Sequence, residues 1–301
     1  MRIRANKPQI KAMAFAGCSF TWGQGLWYYS NLNDLPQDPH YGYDPAAVRA
    51  LHHVYRERWR WPSRVADHFK TVAVTHYQNG GANDQIVEWW TKSFTSKNVE
   101  PVRSFHWKVG EVDRSRPISF SDVSDFVFQF TNWARSSIVF PVDGKNETID
   151  VQTTWDKTSR YHEPFLDWFD NQDIKLSSPN MTKVGEFHQL LMQRDIDQVK
   201  NLLQLLEKNG VKTYVLLWPH EHYPNLIEND SWLMDRFIFL DYNGKRYDCI
   251  DHLIKNEENM SLETDYEFFE EPPNDGHPSL KCQAVIADNV IRAIERRNNN
   301  G

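Results

Sequence analysis

The chain has 301 residues, 40% of them hydrophobic, enough to bury a sizeable core as one domain with insertions or as two small ones. Its 34 Lys and Arg against 41 Asp and Glu leave a net charge of −7, and no basic run is long enough to hold a nucleic acid by counterion release. No stretch approaches the roughly 18 apolar residues of a membrane span, and Cys18, Cys249 and Cys282, widely spaced and without a CxxC, indicate neither a disulfide framework nor a cysteine zinc site.

The N-terminus carries basic residues and a short apolar run, but no small-residue cleavage site follows a long enough hydrophobic region, so no signal peptide is expected. The expected setting is cytoplasmic and reducing, with no nucleic-acid or membrane partner. The apolar run 12–16 has the length of a buried strand and breaks into Gly17-Cys18-Ser19, a turn that lifts one hydroxyl off a strand end. Gly23 and Gly25 then let the backbone bend closely. Residues 26–53 are rich in Tyr, Asn, Asp, Pro and His with little periodicity, and are expected as a long ordered loop.

Trp61-Pro62-Ser63 opens a helix with Val65, Ala66 and Phe69 on its apolar face. The alternating, β-branched run 71–76 predicts a second strand. A turn from Gln78 to Asp84 containing Gly80 and Gly81 leads into a helix bearing Ile86, Val87, Trp89 and Trp90. Two strand–turn–helix units in succession predict a doubly wound parallel sheet. Residues 94–124 are mixed and polar, an expected insertion, and 125–130 predicts a third strand ending in Thr131-Asn132-Trp133. From 137 to 183 the chain is again irregular, with Trp155, Tyr161, Phe165, Trp168 and Phe169 among acids, and is expected as a lid without its own core.

The apolar face of 184–209, stopped by Gly210, predicts a long helix. The run 211–218 predicts a fourth strand, 237–242 a fifth, and 278–297 a closing helix. The expected fold is therefore one α/β domain spanning 1–301. It is a three-layer α/β/α sandwich on a parallel, flavodoxin-like sheet of about five strands, with insertions at 26–55, 94–124 and 137–183.

Three places carry chemistry. Ser19, presented beyond the first strand where α/β sheets place their ligands, is a candidate nucleophile. Backbone N–H groups at a helix start after Gly80-Gly81 are a ready oxyanion site. In Asn274-Asp275-Gly276-His277-Pro278-Ser279, His277 suits proton transfer near neutral pH and Asp275 can orient it. His220-Glu221-His222 offers two metal ligands, but there is no third at a recognisable spacing and no HExxH. These residues read as the rim of a pocket, with no metal and no cofactor expected. Cys18 reads as a small buried thiol.

The order Gly-Cys-Ser, Asn-Gly-Gly-Ala-Asn, Asp-Gly-His-Pro-Ser resembles the SGNH/GDSL hydrolase superfamily. Variants opening on Gly-Cys-Ser-Phe-Thr, including uncharacterised ones from bacteria and their phages, look closest. That resemblance implies an esterase or acyl hydrolase with Ser19 as nucleophile and His277 as base. Ser19 and Gly81 N–H would lie in the oxyanion hole, with the amide of Asn83 or Asn132 completing it. Thr21, Trp22, His220 and His222 are candidates for the substrate pocket. Two positions depart from the family pattern. No Gly-x-Asn-Asp follows the third strand, and the residue three before His277 is Asn274, which passes the orienting role to Asp275. The implied substrate is a small-molecule or carbohydrate ester, with an O-acetyl or other short acyl group. The alternative is a non-catalytic binding or virion-associated protein that keeps the fold around an altered site.

Overall fold

A computed structural model of the protein describes residues 11–29, 37–38, 42–43, 45–75, 81–96, 105–106, 110–111, 118–219 and 227–299. Four parallel strands make the central sheet: β1 (Ala12–Ala16), β2 (Ala73–Thr75), β3 (Val123–Phe130) and β4 (Lys212–Leu217), in the order β4-β3-β1-β2. Nine helices are used below: α1 (Ser19–Trp22), α2 (Pro45–Trp59), α3 (Trp61–His68), α4 (Asn83–Thr95), α5 (Val151–Trp155), α6 (His162–Asp170), α7 (Lys183–Lys208), α8 (Ile250–Asn256) and α9 (Leu280–Asn299). The molecule is a mixed α/β fold compatible with an α/β sandwich.

Both faces of the sheet are buried, because successive side chains of each strand point to opposite faces and both carry apolar groups. Ala14 and Ala16 of β1 share one core with Phe126, Phe128 and Phe130 of β3, under Ile86 and Trp90 of α4 and Val199 and Leu203 of α7. Met13 and Phe15 share the other core with Val127, Tyr214 and Leu216, under Trp61 and Val65 of α3 and Ile286 and Val290 of α9. The small alanines on β1 leave room for the three phenylalanines of β3. Each fully buried phenylalanine contributes about 1.5–3 kcal/mol of burial free energy.

Three expectations change. The expected fifth strand at 237–242 is reduced to one parallel bridge, Val215 to Phe237, and Leu240–Tyr242 turns instead into an antiparallel hairpin with Lys245–Tyr247. An apolar, aromatic run has the composition of a strand either way, and its pairing partner is set by tertiary contacts. Within the expected loop 26–53, the described part includes α2, whose few apolar positions among His and Arg give little periodic signal.

The expected irregular lid at 137–183 is ordered: strands Ser137–Val142 and Lys145–Asp150 form a hairpin, followed by α5 and α6. Its aromatics are core. Phe165 meets Phe140, Trp155 and Phe169 at centroid distances of 5.7, 4.9 and 5.7 Å, and Phe169 meets Phe187 of α7 at 5.3 Å. The segment thus joins the α4–α7 core. No helix among the described residues is long and apolar enough to cross a membrane.

Glu207, near the end of α7, ties three elements together. It accepts from Thr213 of β4 at 2.7 Å, from Arg297 of α9 at 2.8 Å, and from Arg236 through both oxygens at 2.9 and 2.6 Å. Burial pushes its carboxyl up, but the hydrogen bonds from Arg236, Thr213 and Arg297 outweigh that and hold it below the usual range. A depressed folded-state pKa means stability that is present above the ordinary Glu value and lost as pH falls through the folded one. Denaturant titrations should therefore show stability falling below about pH 4.5. Glu207→Gln should flatten that fall and cost about 1–3 kcal/mol at neutral pH.

Candidate active site

Ser19 begins α1, three residues beyond the end of β1, and is 3% exposed. Gly17 makes the sharp exit from the strand possible. A Cβ there would stand 2.2 Å from Thr21 Oγ1 and 2.9 Å from Gln129 Cβ, distances no side chain sustains. Thr21 Oγ1 donates to Gln129 Oε1 at 2.6 Å, and Gln129 Nε2 donates to Cys18 Sγ at 3.2 Å. So the polar Gln129, in the apolar run of β3, anchors both sides of Ser19. Thr21, expected in the substrate pocket, is 2% exposed and belongs to this anchor.

The Ser19 hydroxyl lies 2.9 Å from His277 Nε2, across 258 positions of sequence. His277 Nδ1 hydrogen-bonds Asp275 Oδ1, the same oxygen that accepts from the His277 backbone N–H at 3.0 Å. A carboxylate only accepts, so Nδ1 carries the proton and Nε2 is left as the acceptor for the serine O–H. Asn274, three residues before His277, is exposed to solvent. Asp275 and His277 are about one-sixth to one-fifth exposed, 17% and 19% for their side chains.

The loop bearing them is clamped by residues 259–264. Leu262 N donates to His277 O at 2.8 Å, Glu263 N to Asp275 O at 3.1 Å, and Ser279 N to Met260 O at 2.9 Å. Ser279 also caps α9 by accepting from Cys282 N at 3.2 Å, so the helix starts two residues after the expected Pro278. Tyr29 holds the same junction. Its hydroxyl donates to Asp265 at 2.6 Å and accepts from Leu280 N at 3.2 Å, and burial, reinforced by the Asp265 carboxylate, pushes its pKa up. Gly25, at φ +84°, passes where a Cβ would be 2.1 Å from Leu262 and 3.3 Å from Asp275, so α1 and the histidine loop approach closely only over a glycine.

The strand order puts Ser19, Gly81 and Asn132 beyond the carboxyl ends of β1, β2 and β3, three adjacent strands. Chain connections leave β1 and β3 in opposite directions, the kind of switch point where open α/β sheets bind ligands. Asn83 and Asn132 do different things there. Asn83 is fully buried; its Nδ2 donates to Thr131 O and to Asp195 Oδ2, both at 3.0 Å, and its Oδ1 accepts from Thr131 N at 2.9 Å. Its amide is thus engaged in joining the β2–α4 turn to the end of β3. Asn132 caps the 3-10 turn Trp133–Arg135 with Oδ1, which accepts from Ala134 N at 2.8 Å, and its Nδ2 meets no partner among the described residues. The N–H groups of Ser19 and Gly81 are likewise unengaged among the described residues.

An aromatic wall adjoins the pair. Phe20 packs on His277 at 5.1 Å and on Trp218, after β4, at 4.6 Å. Comparison of the chain with family models, with curated proteins and with solved structures finds no match in any of the three. The site therefore stands on its own geometry.

His220 and His222 lie outside the described residues, as does Gly80, and the side chain of Trp22 is not described. A cluster that the sequence did not single out is Asp248, Cys249 and His252, whose ligand atoms lie within 4.8 Å of one another. Its groups already engage each other: Asp248 Oδ1 meets His252 Nδ1 at 2.5 Å, and Cys249 Sγ accepts from His252 N at 3.3 Å to cap α8. Burial pushes the Cys249 thiol up to about 12, which opposes the thiolate that a metal would need.

Proposed function

We propose that the protein is a serine hydrolase of the SGNH/GDSL type, a three-layer α/β/α domain that cleaves a small-molecule or carbohydrate ester through an acyl-enzyme. The single observation that carries the reading is the Ser19–His277–Asp275 hydrogen-bonded chain, assembled at the carboxyl end of a parallel sheet. His277 takes the Ser19 proton as Oγ attacks the ester carbonyl, and Asp275 keeps the imidazole in the accepting tautomer and stabilises the imidazolium. The tetrahedral oxyanion is held by the N–H groups of Ser19 and Gly81 and by the Asn132 amide. His277 then protonates the leaving alcohol, and water repeats the sequence on the acyl-enzyme.

A fluorophosphonate probe should label the native protein at Ser19 and leave Ser19→Ala unlabelled. A binding module that only retains the fold would not react, and absence of labelling would overturn the proposal. The two asparagines give a second check. Asn132→Ala should lower kcat by about 10²–10³, as for loss of one oxyanion donor, and cost about 1 kcal/mol of stability through the lost cap. Asn83→Ala should instead cost about 1–3 kcal/mol in a denaturant melt, because it leaves buried groups of Thr131 and Asp195 without their amide partner.

A further inference from the structure

Arg135 closes the 3-10 turn that Asn132 caps, just beyond the end of β3. The guanidinium lies over the ring of Trp218, its Cζ 4.9 Å from the centroid, and that ring packs on Phe20, which packs on His277. Two rings therefore join Arg135 to the His277 imidazole.

The Arg135 Nη1 is buried and has no hydrogen-bond partner. Arg194 also buries unpartnered nitrogens, but Asp84 and Asp195 stand beside it. Among the described residues Arg135 has no such carboxylate. It opens on a cleft of about 610 Å³ whose other walls are Gln85, Asp150, Gln152, Thr153 and Asp156. The two acids there are already engaged, Asp150 with Thr153 N and Oγ1 and Asp156 with Thr158 N and Oγ1.

We infer that Arg135 receives a single carboxylate carried by the substrate of the Ser19 site, on an otherwise hydroxylated molecule. The inference takes the word substrate from the hydrolase reading above and adds its charge. A guanidinium whose face is held on a ring presents its edge N–H groups in the fork that a carboxylate matches with two bonds. Asp150 and Asp156 repel any anion in the cleft, a phosphate dianion about twice as strongly as the single carboxylate that Arg135 offsets. Gln85, Gln152 and Thr153 supply neutral donors and acceptors for hydroxyls. Arg135 is thus a specificity residue, away from the bond that breaks.

The test compares three esters. 4-Nitrophenyl acetate is neutral, 4-nitrophenyl hemisuccinate carries a carboxylate in its acyl part, and 3-acetoxybenzoate carries one on its leaving group. With native protein, kcat/KM for at least one carboxylate ester relative to its neutral counterpart should exceed the ratio of their uncatalysed rates. In Arg135→Gln that preference should fall about 10–100-fold, chiefly through KM, as for loss of a charged hydrogen-bonding pair, and Arg135→Lys should restore part of it. An unchanged preference in Arg135→Gln overturns the inference while leaving the esterase reading intact.

Absence of Ser19-dependent turnover on all three esters would instead tell against the hydrolase reading. Binding is then read directly on Ser19→Ala protein by thermal melting with D-glucuronate, D-glucose or sodium chloride at matched ionic strength. Glucuronate alone should raise Tm, and the rise should vanish when Arg135→Gln is added. Equal behaviour of glucuronate and glucose, or a rise that survives Arg135→Gln, overturns the inference.

Discussion

Replacing Ser19 with alanine should lower kcat on a short activated ester by about 10⁴–10⁶, with stability changed by no more than about 1 kcal/mol. The loss is large because the reaction needs an oxygen held 2.9 Å from His277 Nε2, and no other hydroxyl among the described residues bonds that nitrogen. A residual rate above water is expected, since the N–H groups of Ser19 and Gly81 and the Asn132 amide survive the substitution. The small stability change follows from what the hydroxyl touches. The backbone of α1 is held by Gly23 N and Gln24 N donating to Ser19 O, at 2.9 and 3.0 Å, and by the Thr21–Gln129 bond, none of which uses Ser19 Oγ. Ester hydrolysis followed at fixed enzyme concentration, beside a denaturant melt of the same protein, measures both. Undiminished activity in Ser19→Ala would remove Ser19 from the reaction.

Asp275→Asn should lower kcat by about 10³–10⁴, approaching the effect of losing the orienting acid of a serine triad. An amide at this position can present its N–H₂ to His277 Nδ1, which moves the imidazole proton to Nε2 and leaves no acceptor for the serine O–H. The imidazolium formed in the reaction also loses its counter-charge. Asn274→Ala, by contrast, should stay within about twofold, because an exposed side chain away from the bonded pair is ordinary surface. The double variant Asn274→Asp with Asp275→Asn should not recover, since residue 274 points its side chain to solvent. Equal losses in the two single variants would mean that the loop acts as a unit and that Asp275 has no special role.

The strands were legible because a buried parallel strand announces itself locally. β1 occupies the five apolar residues expected of it, and 211–218 holds β4 within one residue at each end. The fifth strand is cut to a single bridge because 237–242 touches the edge of β4 only at Phe237 before Leu240–Tyr242 pairs with Lys245–Tyr247, a choice of partner that composition does not specify. In 137–170 the alternation of Ile138, Phe140 and Val142 is short and set among polar residues, and the Phe140–Phe165–Phe169–Phe187 contacts with α7 are what make the segment core.

Gln129 illustrates the signal that was present and unused. A glutamine inside an otherwise apolar strand must find partners, and its partners are Thr21 and Cys18 on either side of Ser19. Arg135 and Trp218 gave no comparable signal, because their stacking joins residues 83 positions apart.

The sequence by itself determined the punctuation of this chain: where apolar runs stop, where glycines permit close passage, and that a serine, a glycine and a histidine each follow such a stop. Those features are local, set by side-chain size and backbone freedom within a few residues. The sequence also offered Asp275 as the acid that orients His277, and the structure makes that contact; the tertiary structure alone decided that Asn83 is bound to Thr131 and Asp195 while Asn132 keeps an unengaged amide, and that Arg135 stands unpaired beside the aromatic wall. Each depends on atoms brought together from distant parts of the chain, where neither spacing nor composition specifies which of two neighbouring side chains faces inward.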